Sequence, residues 1–157
     1  MSTLEDVTDD VLAALVDHAD DAVIIADAEG TIRYWNAASE RMFGYSCEQA
    51  LGSSLDLIIP EKLRDRHWEG YRRVMATGQT AYAGRMLAVP ALRADGGRIS
   101  IEFTVTLLHD PSGAVRGIGA ILRDVTARWE RQRALQRELH DLQLRAASGA
   151  GSSRDPA

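Results

Sequence analysis

Residues 98–124 read RISIEFTVTLLHDPSGAVRGIGAILRD, and this stretch decides the fold. Ile99, Ile101, Phe103, Val105 and Leu107 alternate with Ser100, Glu102, Thr104 and Thr106, a period of two that gives a strand one buried face and one wet face. Asp110-Pro111-Ser112-Gly113 has turn chemistry, so the segment ending near Asp124 returns as a second strand beside the first. Upstream, Ala94-Asp95-Gly96-Gly97 joins a further long strand to the pair. Nearer the N-terminus, Val23 to Ala26 and Thr31 to Trp35 are β-prone runs split by Ala28-Glu29-Gly30, where the glycine tolerates a tight turn; this predicts a hairpin. Asn36 can cap AASERMF, closed by Gly44, and Ser46 with Gln49 makes a capping-box signal for CEQAL, closed by Gly52. Two strands, a run of helices and three strands in succession define an α+β protein: a five-stranded antiparallel sheet with short helices on one face.

The longest helical pattern before the last three strands is IPEKLRDRHWEGYRRVMATG, residues 59–78. Pro60 suits a first turn and Gly78 an exit. Leu63, His67, Tyr71 and Val74 recur at spacings of four, four and three, which predicts one helical face, while most of the arginines fall elsewhere. An imidazole therefore stands where the pattern asks for an apolar residue. Two readings follow: a core histidine satisfied by a backbone carbonyl, or a ligand to a metal or cofactor.

Flanking segments complete the organisation. Val11, Leu12, Leu15 and Val16 follow a Thr/Asp start and predict an N-terminal cap helix within residues 1–18, ahead of a domain at 19–124. Residues 125–145 form a helical pattern without Gly or Pro, in which Leu135, Leu139 and Leu142 make a short coiled-coil seam, extended backward by Gln132 and Arg128; residues 146–157 are expected to be a disordered tail. The two apolar stripes predict a homodimer. At 157 residues with 45% apolar and 26% charged side chains, the chain has room for one such domain plus helices. No apolar run approaches the roughly 20 residues a membrane span needs, and the acidic N-terminus does not resemble a signal peptide, so a cytoplasmic location and no membrane partner are expected. A net charge of −5 argues against a nucleic-acid partner, and the single Cys47 excludes an internal disulfide. His18, His109 and His140 lie in charged or turn contexts. No Ser/His/Asp grouping or phosphate-binding glycine loop is present, so an enzyme is not expected.

Taken in order, DAVIIAD, the G-I-YWN-A-E-FGY series, the helix at 60–77, RADGG, IEFTV and finally GIGAILRDVTAR resemble a PAS domain over about residues 15–128. The resemblance implies a ligand held between the helices and the inner face of the sheet, and a role in sensing and pairing. Flavin-binding members carry a cysteine on a helix just before the long one; here that region reads SSLDLIIP and Cys47 lies earlier, which argues against a flavin adduct and against a thioester-linked chromophore.

Ile59-Pro60, Arg66-His67, Tyr71 and Thr77-Gly78 are similar in layout to haem-binding PAS sensors of the FixL and direct oxygen sensor type. This resemblance implies b-type haem held by His67, a diatomic gas as ligand, and a downstream effector protein. The implied cofactor-binding set is His67, Tyr71, Val74, Tyr82, Arg85, Met86, Leu87, Phe103, Val105, Ile118, Ala120 and Leu122, with His67 the metal ligand; Ala120 and Gly119 would leave room for a flat molecule. Oxygen-binding members use an arginine on the strand after the haem helix, and counted without gaps Leu87 stands there. Three outcomes are open: Arg85 reaches the gas, Met86 takes the sixth coordination position, or the pocket is apolar and favours carbon monoxide or nitric oxide. A competing class is a cofactor-free interaction module, empty or filled by a small apolar molecule.

Overall fold

The computed structural model describes residues 7–81 and 84–151. Two strands, β1 (Ala22–Asp27) and β2 (Ile32–Trp35), lead into α2 (Ala37–Phe43), α3 (Cys47–Ala50), a single 3-10 turn (Leu55–Leu57) and the long α4 (Glu61–Thr77). Then β3 (Leu87–Leu92), β4 (Arg98–His109) and β5 (Val115–Asp124) follow in succession. A helix α1 (Asp9–Asp17) precedes β1, and α5 (Thr126–Ala150) follows β5. The strands form one antiparallel sheet in the order β2-β1-β5-β4-β3. The chain divides into two units, one running to Asp124 and one from Val125 onward.

Register gives each row of the inner face. Leu87 pairs with Phe103 and Phe103 with Leu122, which pairs with Ala22. One row on, Val105 pairs with Ala120, Ala120 with Ile24 and Ile24 with Trp35. Directly opposed residues share a face, so these side chains form the floor on which the helices pack. Ala22, Ile24, Ala26, Ile32, Trp35, Phe43, Ala50, Ala120 and Leu122 are buried there, with Phe43 and Ile32 fully enclosed. Gly119 pairs with Ile25 and Thr106, so it faces the outer side and makes no room for a ligand on the inner one.

Several local expectations are revised by tertiary contacts. Thr8 stands at the start of α1 but makes no side-chain cap bond, and no residue of α1 is buried. The helix at CEQAL ends at Ala50, because Leu51 is already extended. β3 is short, and Pro90 within it is tolerated because β3 is the sheet's edge. The C-terminal helix does not stop at 145: it continues through Ala150, so residues 146–150 are helical and not part of a disordered tail. Ala146, Ala147 and Ala150 are the strongest helix formers, and the Ser148 hydroxyl donates back to the Leu144 carbonyl at 3.0 Å.

Candidate functional site

Helix α4 presents to the core a face one step round from the one its sequence predicts. Trp68, Tyr71 and Met75 pack into the buried cluster, and Tyr71 is itself buried. Leu63, His67 and Val74 form the neighbouring flank and are half-buried. The rotation follows from two contacts that the apolar spacing does not contain. The Trp68 indole lies on Gly30, whose φ is +82°; a Cβ there would stand 2.1 Å from Trp68 Cη2. The Trp68 Nε1–H donates to Asp56 Oδ1 at 2.7 Å. Tyr71 donates its hydroxyl to the Asp27 carbonyl on the same hairpin turn. At the far end of the helix, a Cβ on Gly78 would lie 3.6 Å from Val115 Cγ2, which puts this end at the start of β5.

His67 sits against both aromatics. Its ring meets Trp68 edge-on at a centroid distance of 4.8 Å and Tyr71 at 5.7 Å. Nδ1 is buried and has no hydrogen-bond partner among the described residues. Burial holds the imidazole below its ordinary pKa, and the Asp56 carboxylate pulls weakly the other way. The ring is therefore neutral at pH 7, with a nitrogen whose bonding capacity the chain itself leaves unused. Among the described residues no backbone carbonyl satisfies Nδ1, as a core histidine held by the backbone would require.

Across from α4, cover on the inner face is uneven. Ile99 and Ile101 are buried, held where Leu92 N–H donates to the Ile58 carbonyl and Ala94 N–H to the Phe43 carbonyl. From Phe103 onward the strand is less covered: Leu87, Phe103, Val105, Leu107 and Ile118 are all apolar and only half-buried. Thus His67, Tyr71, Val74, Leu87, Phe103, Val105, Ile118, Ala120 and Leu122 belong to α4 and the inner face.

Arg85 and Met86 do not join them. Both precede β3 and are exposed, Met86 by 59%, and Met86 lines a groove with Asp21, Glu102, Phe103, Thr104, Ile121, Leu122 and Arg123. The strand that would have carried both residues inward begins only at Leu87. Tyr82 lies outside the described residues. Trp68, Gly30 and Asp56 are the residues that pattern reading missed. A tryptophan following the histidine was a visible signal, but its partners are 38 and 12 residues away in the chain.

Residues 16–130 match the family model of the PAS fold, and the chain belongs to the PAS family. It is a PAS sensory domain, homologous to sensor proteins of signal transduction. An uncharacterized protein of Azorhizobium caulinodans is 39% identical over 125 residues, covering 79% of this chain and 17% of that protein. Sensor protein FixL of Bradyrhizobium diazoefficiens is 29% identical over 74% of this chain and 23% of its own, and oxygen sensor protein DosP of Escherichia coli 25% identical over 53% of this chain and 10% of its own. The chain spans less than a quarter of the length of these curated relatives. Among solved structures, a PAS domain from Colwellia psychrerythraea superposes with a TM-score of 0.65 at 24% identity, covering 74% of this chain and 95% of that one. No helix among the described residues is long and apolar enough to cross a membrane.

Proposed function

We propose that this chain is a gas-sensing PAS module that holds b-type haem through His67, pairs with a second copy and signals to a downstream effector protein, acting as a sensor and not as an enzyme. The observation that carries the reading is the neutral, half-buried imidazole of His67, unsatisfied at its buried Nδ1 and standing against the Trp68 and Tyr71 rings. Among the described residues no group of three His, Cys, Asp or Glu side chains could hold a bare metal ion. A lone imidazole suits a metal that arrives with its other donors, and the apolar floor at Phe103, Val105 and Ile118 suits a flat apolar macrocycle. When bound, haem supplies the coordination position at which a diatomic gas is taken up. The likeness to an oxygen sensor supports the gas class. With Arg85 and Met86 exposed, the inner-face lining is apolar, which favours carbon monoxide or nitric oxide over oxygen.

A second reading, a cofactor-free module that takes a small apolar molecule, is favoured by the same half-buried apolar floor. Titration with haemin separates the two. The expected result is a Soret band saturating at one haem per chain, lost for the most part in His67→Ala, and unchanged in Arg85→Ala and Met86→Leu. A protein that stays colourless at saturation leaves only the second reading.

A further inference from the structure

A ligating histidine is normally oriented by a hydrogen bond from its second ring nitrogen to a carboxylate, carbonyl or water. Among the described residues neither ring nitrogen of His67 has such a partner, the buried Nδ1 included, so whichever nitrogen ligates, the other is not held by a hydrogen bond. Something else must stop the ring turning about its side-chain torsions. The neighbours that can do so are Trp68, edge-on at 4.8 Å, and Tyr71 at 5.7 Å.

Trp68 is the better anchored of the two against rotation. Its indole N–H is held by Asp56 Oδ1 at 2.7 Å, from the 3-10 turn before α4. Its six-membered ring is held by the bare backbone of Gly30, in the β1–β2 turn. The same Asp56 lies 3.8 Å from Arg64 Nε, and Arg64 also donates to the Asp56 and Ile59 carbonyls, so the 3-10 turn is itself tied to α4. Two elements outside α4, the 3-10 turn and the β1–β2 turn, thus hold one indole, and the imidazole lies against it with the two ring planes 81° apart. We infer that Trp68, clamped between Asp56 and Gly30, is the positioning residue of His67, replacing a hydrogen bond by an aromatic wall.

This inference rests on the reading of His67 as a haem ligand for its consequence, but the positioning is a property of the ligand-free chain. Three variants test it. Asp56→Ala removes the acceptor of the indole N–H; Trp68→Phe keeps an aromatic ring and removes the N–H; Asp56→Asn keeps an oxygen acceptor and removes the charge. In the ligand-free protein, the Cε1–H resonance of His67 should move towards its unfolded-chain position in Asp56→Ala and stay in place in Asp56→Asn, because only the former releases the indole. With haemin, Asp56→Ala and Trp68→Phe should bind about 10–100-fold more weakly, the usual cost of losing an outer-shell support, while Asp56→Asn should bind like the wild type.

An Asp56→Ala protein with an unmoved His67 resonance overturns the inference. So does an Asp56→Asn protein that behaves like Asp56→Ala, since charge and not geometry would then be acting. Should the wild type take up no haemin, the ligand reading fails, and the ligand-free resonance alone decides whether Trp68 positions the ring.

Discussion

Asn36 and Val23 bond to each other twice. The Val23 N–H donates to Asn36 Oδ1 at 2.9 Å, and the Asn36 N–H donates to the Val23 carbonyl at 3.3 Å. The side chain of Asn36 also accepts from the Ser39 N–H at 3.0 Å as the cap of α2, and its Nδ2 donates to the Val16 and Asp21 carbonyls. One buried amide thus joins the exit of α1, the start of β1 and the start of α2.

Replacing Asn36 should therefore cost more than a cap. Asn36→Ala leaves the Val23 and Ser39 N–H groups without the oxygen that served both, so a loss of about 2–4 kcal/mol is expected, combining a cap with at least one orphaned donor. Asn36→Asp keeps the acceptor but turns an oxygen towards the Val16 and Asp21 carbonyls, and should not rescue. Urea unfolding of the two variants checks both claims; full stability in Asn36→Asp would show that the donor side of the amide is idle.

Gly30 should resist substitution for two separable reasons. Its positive φ strains any L side chain, and a Cβ would stand 2.1 Å from Cη2 and 2.2 Å from Cζ3 of Trp68, far inside van der Waals contact. Gly30→Ala is expected to destabilise by about 2–4 kcal/mol, the sum of a backbone penalty and overpacking. In a Trp68→Leu background the same change should cost less, leaving mostly the backbone part. Equal costs in both backgrounds, read from a double-mutant cycle, would remove the steric half of this account.

Acid should weaken one outer clasp. Arg123 meets Asp21 through two parallel contacts, Nε to Oδ1 at 2.8 Å and Nη2 to Oδ2 at 2.7 Å. These hydrogen bonds hold the Asp21 carboxyl below its ordinary value of 3.8, partial burial opposing and the Arg123 charge adding to the effect. A carboxyl depressed in the folded state binds a proton less readily there than in the unfolded chain. Its contribution is thus complete above pH 3.8 and is lost as pH falls through the lower folded value. The pair is solvent-screened, so Arg123→Gln should be only slightly less stable at pH 7, and that gap should narrow as pH falls below 3.8. A gap independent of pH would mean that Arg123 acts through packing.

Self-association should depend on α5. Leu135, Leu139 and Leu142 are exposed by 62%, 57% and 55%, and the helix continues far enough to add Ala146 to the same seam. Replacing Leu135 and Leu139 with Asp should shift the protein towards monomer in sedimentation across a dilution series, with haemin uptake unchanged. Unaltered sedimentation would assign pairing to α1, where Leu12 and Leu15 are exposed by 48% and 68%, or to the sheet.

The sequence by itself determined the sheet and its inner face. Strand alternation at Ile99 to Leu107, turn residues at 94–97 and 110–113, and the Asn36 and Ser46 caps are local effects, each written within a few residues of where it acts. It also named the floor residues of the sheet, because strand alternation survives packing, whereas of the face predicted for α4 only Tyr71 enters the buried cluster. Only the tertiary structure decided how α4 is turned about its axis. That angle is set by Trp68 meeting Gly30 and Asp56, contacts between segments far apart in the chain, which no period can encode. The same holds for Arg85 and Met86: counting assigned them to a strand, but pairing with β4 begins only at Leu87, so nothing turns them inward. Whether a half-buried histidine is satisfied is likewise a question of what surrounds it, and only the folded chain leaves His67 Nδ1 buried and without a partner among the described residues.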